Sequence, residues 1–142
     1  KREMWEIRDG LGLSQLGPLF GYDVSLRIQD MEDYVELVET SIKTAWPGAR
    51  FIAFGHLADG NLHFVVALGK ADSENRALVD ELVYSPLAPI GGSVSAEHGI
   101  GLEKKPYLAI SRTTEEISLM KSLKKMMDPQ NILNPGKVIS LK

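Results

Sequence analysis

The sequence GHLADGNLH, residues 55–63, lies between two apolar runs at 50–54 and 64–68. The pair Asp59-Gly60 between such runs is a strong hairpin signal, because a type I′ turn requires positive φ at both of its central residues. With these two residues as the turn, His56 faces His63 across the hairpin. Directly opposed residues have Cβ atoms about 4.5–5.5 Å apart. The spacing therefore predicts two neighbouring imidazoles on one face of a sheet.

The remaining segments predict an α+β domain around this hairpin. A strand at 19–28 precedes a helix that Asp30 caps, that carries an apolar stripe at helical spacing and that stops at Pro47-Gly48. The hairpin strands cover 50–57 and 62–68, and a second helix covers 72–84. The order strand, helix, strand, strand, helix favours an antiparallel sheet with helices packed on one face, of ferredoxin-like type.

The last third of the chain reads as a loop, helices and a tail. Residues 85–92 form a loop, 93–101 a short polar segment, and 102–110 a weak helix. Thr113 or Thr114 caps the last C-terminal helix, which Asp128-Pro129 ends. We expect the tail from Asn131 onward to be extended.

Composition sets broad limits on function. The chain has 142 residues, 44% of them hydrophobic and 25% charged, which is typical of one globular domain. A net charge of −3 gives no support for nucleic-acid binding, and the absence of cysteine excludes disulfides and thiolate sites. No apolar run reaches the roughly 20 residues of a membrane span, and no signal peptide is visible. Because the chain starts at Lys1 as if within a helix, we expect 1–142 to be a fragment of a longer protein, with a trimmed tag or a processed terminus as the alternative.

The three histidines all lie in glycine-rich segments. His56, His63 and Glu97 form the simplest metal-ligand set, and two imidazoles with one carboxylate leave a coordination position open, as in catalytic centres. Zinc is favoured, while Fe(II), Mn(II), Co(II) or Ni(II) also suit these ligands. Neighbours in an extended segment point to opposite sides, so His98 is free to act as a general base.

Three further residues are candidates for supporting roles. Asp59 and Asn61 are turn residues that could also orient the imidazoles from outside the ligand set. Arg8 shares a predicted helix face with Trp5, and a guanidinium there could bind a substrate carboxylate. The alternative for Arg8 is an ordinary solvated arginine.

Three ordered motifs carry a resemblance to a known family. They are GHLADGNLH at 55–63, SAEHGIG at 95–101 and DPQNILNPGKV at 128–138. Together they resemble the C-terminal domain of FAD-linked oxidases, in the vanillyl-alcohol oxidase superfamily. This group contains D-lactate dehydrogenases, the glycolate oxidase flavin subunit and D-2-hydroxyglutarate dehydrogenases. The resemblance extends over nearly the whole chain.

The resemblance implies that 1–142 is the single C-terminal substrate domain of a larger flavoenzyme whose main FAD-binding domain lies N-terminal to Lys1. It implies the following roles: His56, His63 and Glu97 as metal ligands, His98 as base, Arg8 at the substrate carboxylate, and Asn134 near the flavin. The implied activity is oxidation of a D-2-hydroxy acid of lactate, glycolate or 2-hydroxyglutarate type to the 2-oxo acid.

The implied partners are a small hydroxy acid, the protein's own FAD domain and an electron acceptor, with no nucleic acid. We expect the isolated chain to be inactive as a dehydrogenase, and its uncovered face could support a homodimer. The implied location is intracellular, either cytoplasmic or peripheral to a membrane.

Four positions depart from the family's pattern. Gly21 and Val65 stand where the D-2-hydroxyglutarate branch resembled here has Lys and Asn. Ala58 replaces a usual Gly, and Arg27 a usual Pro. Loss of a Lys and an Asn from the substrate side argues against a dicarboxylate substrate.

Two other functions fit the same residues. A metal-dependent hydrolase could use the His56, His63 and Glu97 set with water in the open position, and it would need no flavin. A non-enzymatic binding module is also compatible, because α+β folds of this kind serve many functions.

Overall fold

The computed structural model describes residues 16–70 and 72–141 of the chain. Its strands are β1 (Leu19–Ser25), β2 (Arg50–His56) and β3 (Asn61–Ala67). They form one antiparallel sheet in the order β1-β3-β2. Its helices are α1 (Met31–Ala45), α2 (Ser73–Tyr84), α3 (Leu108–Ser111) and α4 (Thr114–Met127). The predicted α+β class is therefore confirmed.

The core lies between one face of the sheet and the first two helices. Residues at helical spacing on α1 are buried, as the apolar stripe predicted: Met31, Tyr34, Val38 and Ile42. Alternate strand residues meet them from the sheet, among them Val24, Phe64 and Val66. Burial of these side chains is the main favourable contribution to folding. It also leaves the opposite sheet face free for polar residues.

The opposite face, which we call the site face, consists of rows that cross the three strands, and two of these rows contain polar residues. One row is Asp23, His63 and Phe54, and the next is Ser25, Asn61 and His56. A third row is Gly21, Val65 and Ile52. Ser25 also forms an isolated antiparallel bridge with Ser93, which brings the segment after α2 to the edge of the site face.

The hairpin turn differs from its prediction. Residues Leu57–Asp59 form a 3-10 turn and Gly60 follows with φ 65°, so four residues connect the strands instead of two. His56 therefore pairs with Asn61, and His63 pairs with Phe54. The predicted type I′ turn was wrong because Leu57–Asp59 adopt helical backbone, so Gly60 alone needs positive φ. The backbone carbonyl of Gly60 then accepts a 2.9 Å hydrogen bond from the Leu26 N–H, which anchors the turn to the chain after β1.

Two other local predictions also need correction. Strand β1 ends at Ser25 instead of 28, since the chain bends into a short 3-10 turn at Ile28–Asp30. The tail is irregular instead of extended: Asn131 and Asn134 have φ values of 52° and 48°, and Val138 has φ 63°. The Asp128 carboxylate accepts the N–H groups of Ile132 and Leu133, which folds the tail back at the end of α4.

The helix caps were predicted with mixed success. Thr113 and Glu116 form a reciprocal capping box at the start of α4. Asp72 caps α2 by accepting the Asn75 N–H at 2.9 Å. Asp30 stands at the N-cap of α1, but its carboxylate accepts a hydrogen bond from Arg27 Nε instead of from the helix backbone.

Alanine at Gly60 should destabilise the fold by about 1–3 kcal/mol, because its φ is positive and its Cβ would collide with the Leu26 carbonyl oxygen. Urea unfolding would measure the loss. Gly69→Ala is a matched control, since Gly69 has φ 77° but a Cβ there meets no described atom within 4 Å. Equal costs at the two positions would show that the collision with Leu26 contributes nothing.

Candidate metal centre

The structure brings His56, His63 and Glu97 together on the site face. Each offers one ligand atom, and these atoms all lie within 4.8 Å of one another. The two imidazoles meet on a diagonal instead of directly across the hairpin, because His56 pairs with Asn61, two residues before His63. Their ring centroids are 5.6 Å apart. Diagonal neighbours on one sheet face remain within reach of long side chains, so the corrected register keeps the pair together.

Glu97 completes the cluster from outside the sheet. Its Oε1 lies 3.4 Å from His56 Nε2 and 3.8 Å from His63 Nε2. Asn61 is buried at the start of β3, and its Nδ2 donates a hydrogen bond to the same Oε1. Asn61 thus supports the carboxylate, whereas the sequence suggested support for the imidazoles. Asp59 lies in the 3-10 turn that precedes Gly60.

The donor set suits a divalent ion of intermediate softness. Two imidazole nitrogens and one carboxylate oxygen match the ligands of catalytic zinc centres and of several other first-row metals. The His63 side chain is only 13% exposed and its ring stacks on Phe54 at 5.2 Å. Burial lowers the pKa of His63, and the nearby Glu97 and Asp23 carboxylates oppose that shift. The lower pKa favours the neutral imidazole, which is the form that binds a metal.

Asp23 is the residue of this site that sequence reasoning missed. It stands on β1 opposite His63, and it is 1% exposed. Burial alone would raise the pKa of its carboxyl, but hydrogen bonds from Lys104 and from the Glu97 and His98 N–H groups lower that pKa to about 2. The available signal was an acid within an otherwise apolar strand, since acids are seldom buried without partners.

His98 lies beside the cluster without belonging to it. Its ring centroid is 5.8 Å from that of His63, and its side chain is 65% exposed. Its Nδ1 lies 3.2 Å from Asp23 Oδ1, so Nε2 is the ring nitrogen left for other partners. An exposed imidazole next to a metal-ligand set is placed as a general base would be.

Two sequence-predicted candidates remain, Arg8 and Asn134. Arg8 lies outside the residues that the structure describes. Asn134 is exposed in the tail, where its backbone carbonyl accepts the Lys137 N–H at 3.2 Å. Its predicted proximity to a flavin stays a prediction.

Comparison with known proteins identifies the family. Residues 1–138 match the family described as FAD linked oxidases, C-terminal domain. The chain belongs to this family. This match confirms the resemblance carried by the three motifs. It also makes a hydrolase or a non-enzymatic binding module a poorer explanation of the same residues.

Several dehydrogenases are similar over nearly the whole chain. A D-2-hydroxyglutarate dehydrogenase of Xanthomonas citri pv. viticola is 38% identical over 143 residues, which covers 96% of this chain and 30% of that protein. The mitochondrial D-2-hydroxyglutarate dehydrogenase of Rattus norvegicus is 38% identical over 139 residues, covering 96% and 25%. A mitochondrial protein of Schizosaccharomyces pombe with the provisional name D-lactate dehydrogenase is 36% identical over 149 residues, covering 97% and 28%.

This FAD-linked oxidase domain spans less than a third of the length of those relatives. In the described part of the chain, every helix is too short or too polar to cross a bilayer.

Proposed function

We propose that this domain provides the metal- and substrate-binding part of an FAD-linked dehydrogenase that oxidises a D-2-hydroxy acid to the 2-oxo acid. The observation that carries the proposal is the His56, His63 and Glu97 cluster with His98 beside it, within a family of FAD-linked oxidases. A two-electron oxidation of this kind removes a proton from the hydroxyl and a hydride from C2. The chain must therefore orient the hydroxyl and accept its proton.

His56, His63 and Glu97 would hold the ion, with zinc favoured by ligand type. Such an ion supplies positive charge that lowers the pKa of a bound hydroxyl. FAD, held mainly by the protein's separate flavin domain, supplies the hydride acceptor. The partly buried His63 and the buried Asn61 form the base of the cluster, while the exposed sides of His56 and Glu97 leave room for a small ligand.

His98 would take the hydroxyl proton. Its ring stands next to the ligand set, and its exposure allows the proton to pass on to solvent. Arg8 would bind the substrate carboxylate in a bidentate manner. Asn134 would contact the flavin. The family resemblance supports the roles of Arg8 and Asn134.

The site face also suggests which hydroxy acid fits. Gly21, Val65 and Ile52 form the row next to that of His63. Gly21 and Val65 are the two residues that stand where the resembled branch has a Lys and an Asn. They lie directly opposite each other in the pairing of β1 with β3. An uncharged row cannot compensate a second carboxylate, whose desolvation is costly without a partner. The substituent on C2 would therefore be small and uncharged, as in lactate.

The full-length protein should reduce its flavin with D-lactate more efficiently than with D-2-hydroxyglutarate, with L-lactate as the inactive enantiomer. Gly21→Lys should move the ratio of kcat/KM toward the dicarboxylate by about tenfold or more, the scale of one charge-assisted contact. Loss of the oxidised flavin absorbance under anaerobic conditions measures flavin reduction by each substrate, in the wild-type protein and in the variant. A lysine side chain can start at this position without a collision, since a Cβ built on Gly21 meets no described atom within 4 Å.

Gly48→Lys adds the same charge in the turn between α1 and β2, and it should leave the ratio unchanged. A wild-type preference for D-2-hydroxyglutarate would contradict the substrate assignment but not the reaction class. A substrate turned over by flavin-free protein would favour the hydrolase instead.

A further inference from the structure

We infer that Asp23 is the positioning residue of the metal centre: its buried carboxylate holds the backbone of residues 96–98 and thereby places Glu97 and His98. The inference rests on the metal centre proposed above, and it concerns a residue outside the ligand set. Three observations support it: the convergence of N–H groups on Asp23, the lack of regular structure around Glu97, and the charge partner Lys104.

Successive backbone N–H groups converge on one oxygen of Asp23. Oδ2 accepts hydrogen bonds from the N–H of Ala96 at 2.8 Å, Glu97 at 2.8 Å and His98 at 3.1 Å. Ser95 Oγ donates to the same oxygen at 3.2 Å. A concave run of N–H groups around an anion is a recurring backbone arrangement, and here the anion is a side chain of the protein itself.

The segment that carries Glu97 lies outside the helices and strands. Residues 95–101 form neither helix nor strand, and Gly99 and Gly101 have φ values of 74° and 56°. Two of the metal ligands are therefore held by the sheet, whereas Glu97 depends on the hydrogen bonds that its loop donates to Asp23 and on the one that its carboxylate accepts from Asn61. Asp23 stands on β1 directly opposite His63, so it ties the loop to the strand that pairs with β3, which carries that ligand.

The second oxygen of Asp23, Oδ1, contacts the side chains of Lys104 and His98. Lys104 Nζ donates to Oδ1, to the Asp23 main-chain carbonyl at 3.1 Å and to Ser95 Oγ at 3.2 Å. His98 Nδ1 lies 3.2 Å from the same Oδ1. A buried carboxylate is costly unless it is paired and hydrogen-bonded. The ion pair with Lys104 offsets that cost. One carboxylate can therefore orient both the loop that carries Glu97 and the imidazole of His98.

Asp80 offers a matched comparison within the same chain. It is also buried, at 6% exposure, and it also pairs with a cation, since Arg76 Nε donates to it at 2.7 Å. Its other partners are the hydroxyls of Tyr22, at 2.7 Å, and Tyr107, at 3.3 Å. Tyr22 points to the helix-covered side of β1, so Asp80 shares the burial and pairing of Asp23 without contacting residues 95–98.

The test compares Asp23→Asn with Asp80→Asn in the full-length protein. Zinc affinity, measured by competition with a chelator, should fall about 10–100-fold in Asp23→Asn, the usual range for residues that orient metal ligands. In Asp80→Asn it should change less than about threefold. The d–d absorption of the cobalt(II)-loaded protein should shift in Asp23→Asn alone. Denaturant unfolding of the metal-free proteins gives the general loss of stability in each variant.

Equal zinc affinities in the two variants would overturn the inference and leave the metal centre standing. Failure of the wild-type protein to bind zinc or cobalt would overturn the metal centre itself. If Asp23→Asn does not fold, Lys104→Gln decides, because it keeps the carboxylate and removes its charge partner. A folded Lys104→Gln protein with wild-type zinc affinity and an unchanged cobalt spectrum would refute the positioning role, and weakened binding would support it.

Discussion

Alanine in place of His98 should slow flavin reduction by about 10²–10⁴-fold while the metal stays bound, because general-base catalysis typically contributes that much. The ring stands 5.8 Å from His63 but outside the ligand cluster. The loss should therefore fall on kcat, with little change in KM. Rapid mixing of the oxidised full-length enzyme with substrate measures the reduction rate directly.

Metal content of the same samples provides the control. A His98→Ala protein with normal metal and a normal reduction rate would remove His98 from the proposed mechanism. A protein that lost its metal would instead make His98 part of the metal centre. Asp80→Asn, which changes a buried group on the other side of β1, should leave the reduction rate within a few-fold of wild type.

Alanine in place of His63 should reduce bound metal from about one ion per chain to a trace, since the site then offers only two protein ligands. His63 is the best-placed ligand to test because it lies on the central strand and its side chain is only 13% exposed, compared with 54% for His56. Elemental analysis of protein purified without a histidine tag measures the loss. Dehydrogenase activity should disappear with the metal.

Two comparisons make the His63 result specific. His98→Ala should retain metal, so a histidine next to the cluster is not enough to hold the ion. Unfolding of the metal-free proteins should show that His63→Ala still folds. Full metal occupancy in His63→Ala would contradict the ligand set, and metal-free wild-type protein would contradict the metal centre.

The local sequence predicted most of the helices and strands and proposed the metal-ligand set. Helix α1 followed from apolar residues at helical spacing, and α4 from a threonine cap at Thr113 or Thr114. His56, His63 and Glu97 were identified because histidines and a carboxylate recur in short glycine-rich motifs. Such signals depend on neighbours within a few residues, which is the range over which sequence patterns are informative.

Only the tertiary structure decided the register of the hairpin and the role of Asp23. The turn at Leu57–Gly60 depends on a hydrogen bond from the Leu26 N–H, which lies more than 30 residues earlier in the chain. Asp23 meets its loop partners about 70 residues away, where the fold brings β1 against residues 95–98. A buried carboxylate is tolerated only where donors converge on it. The sequence by itself therefore determined which groups could bind a metal, and long-range packing determined how they are held.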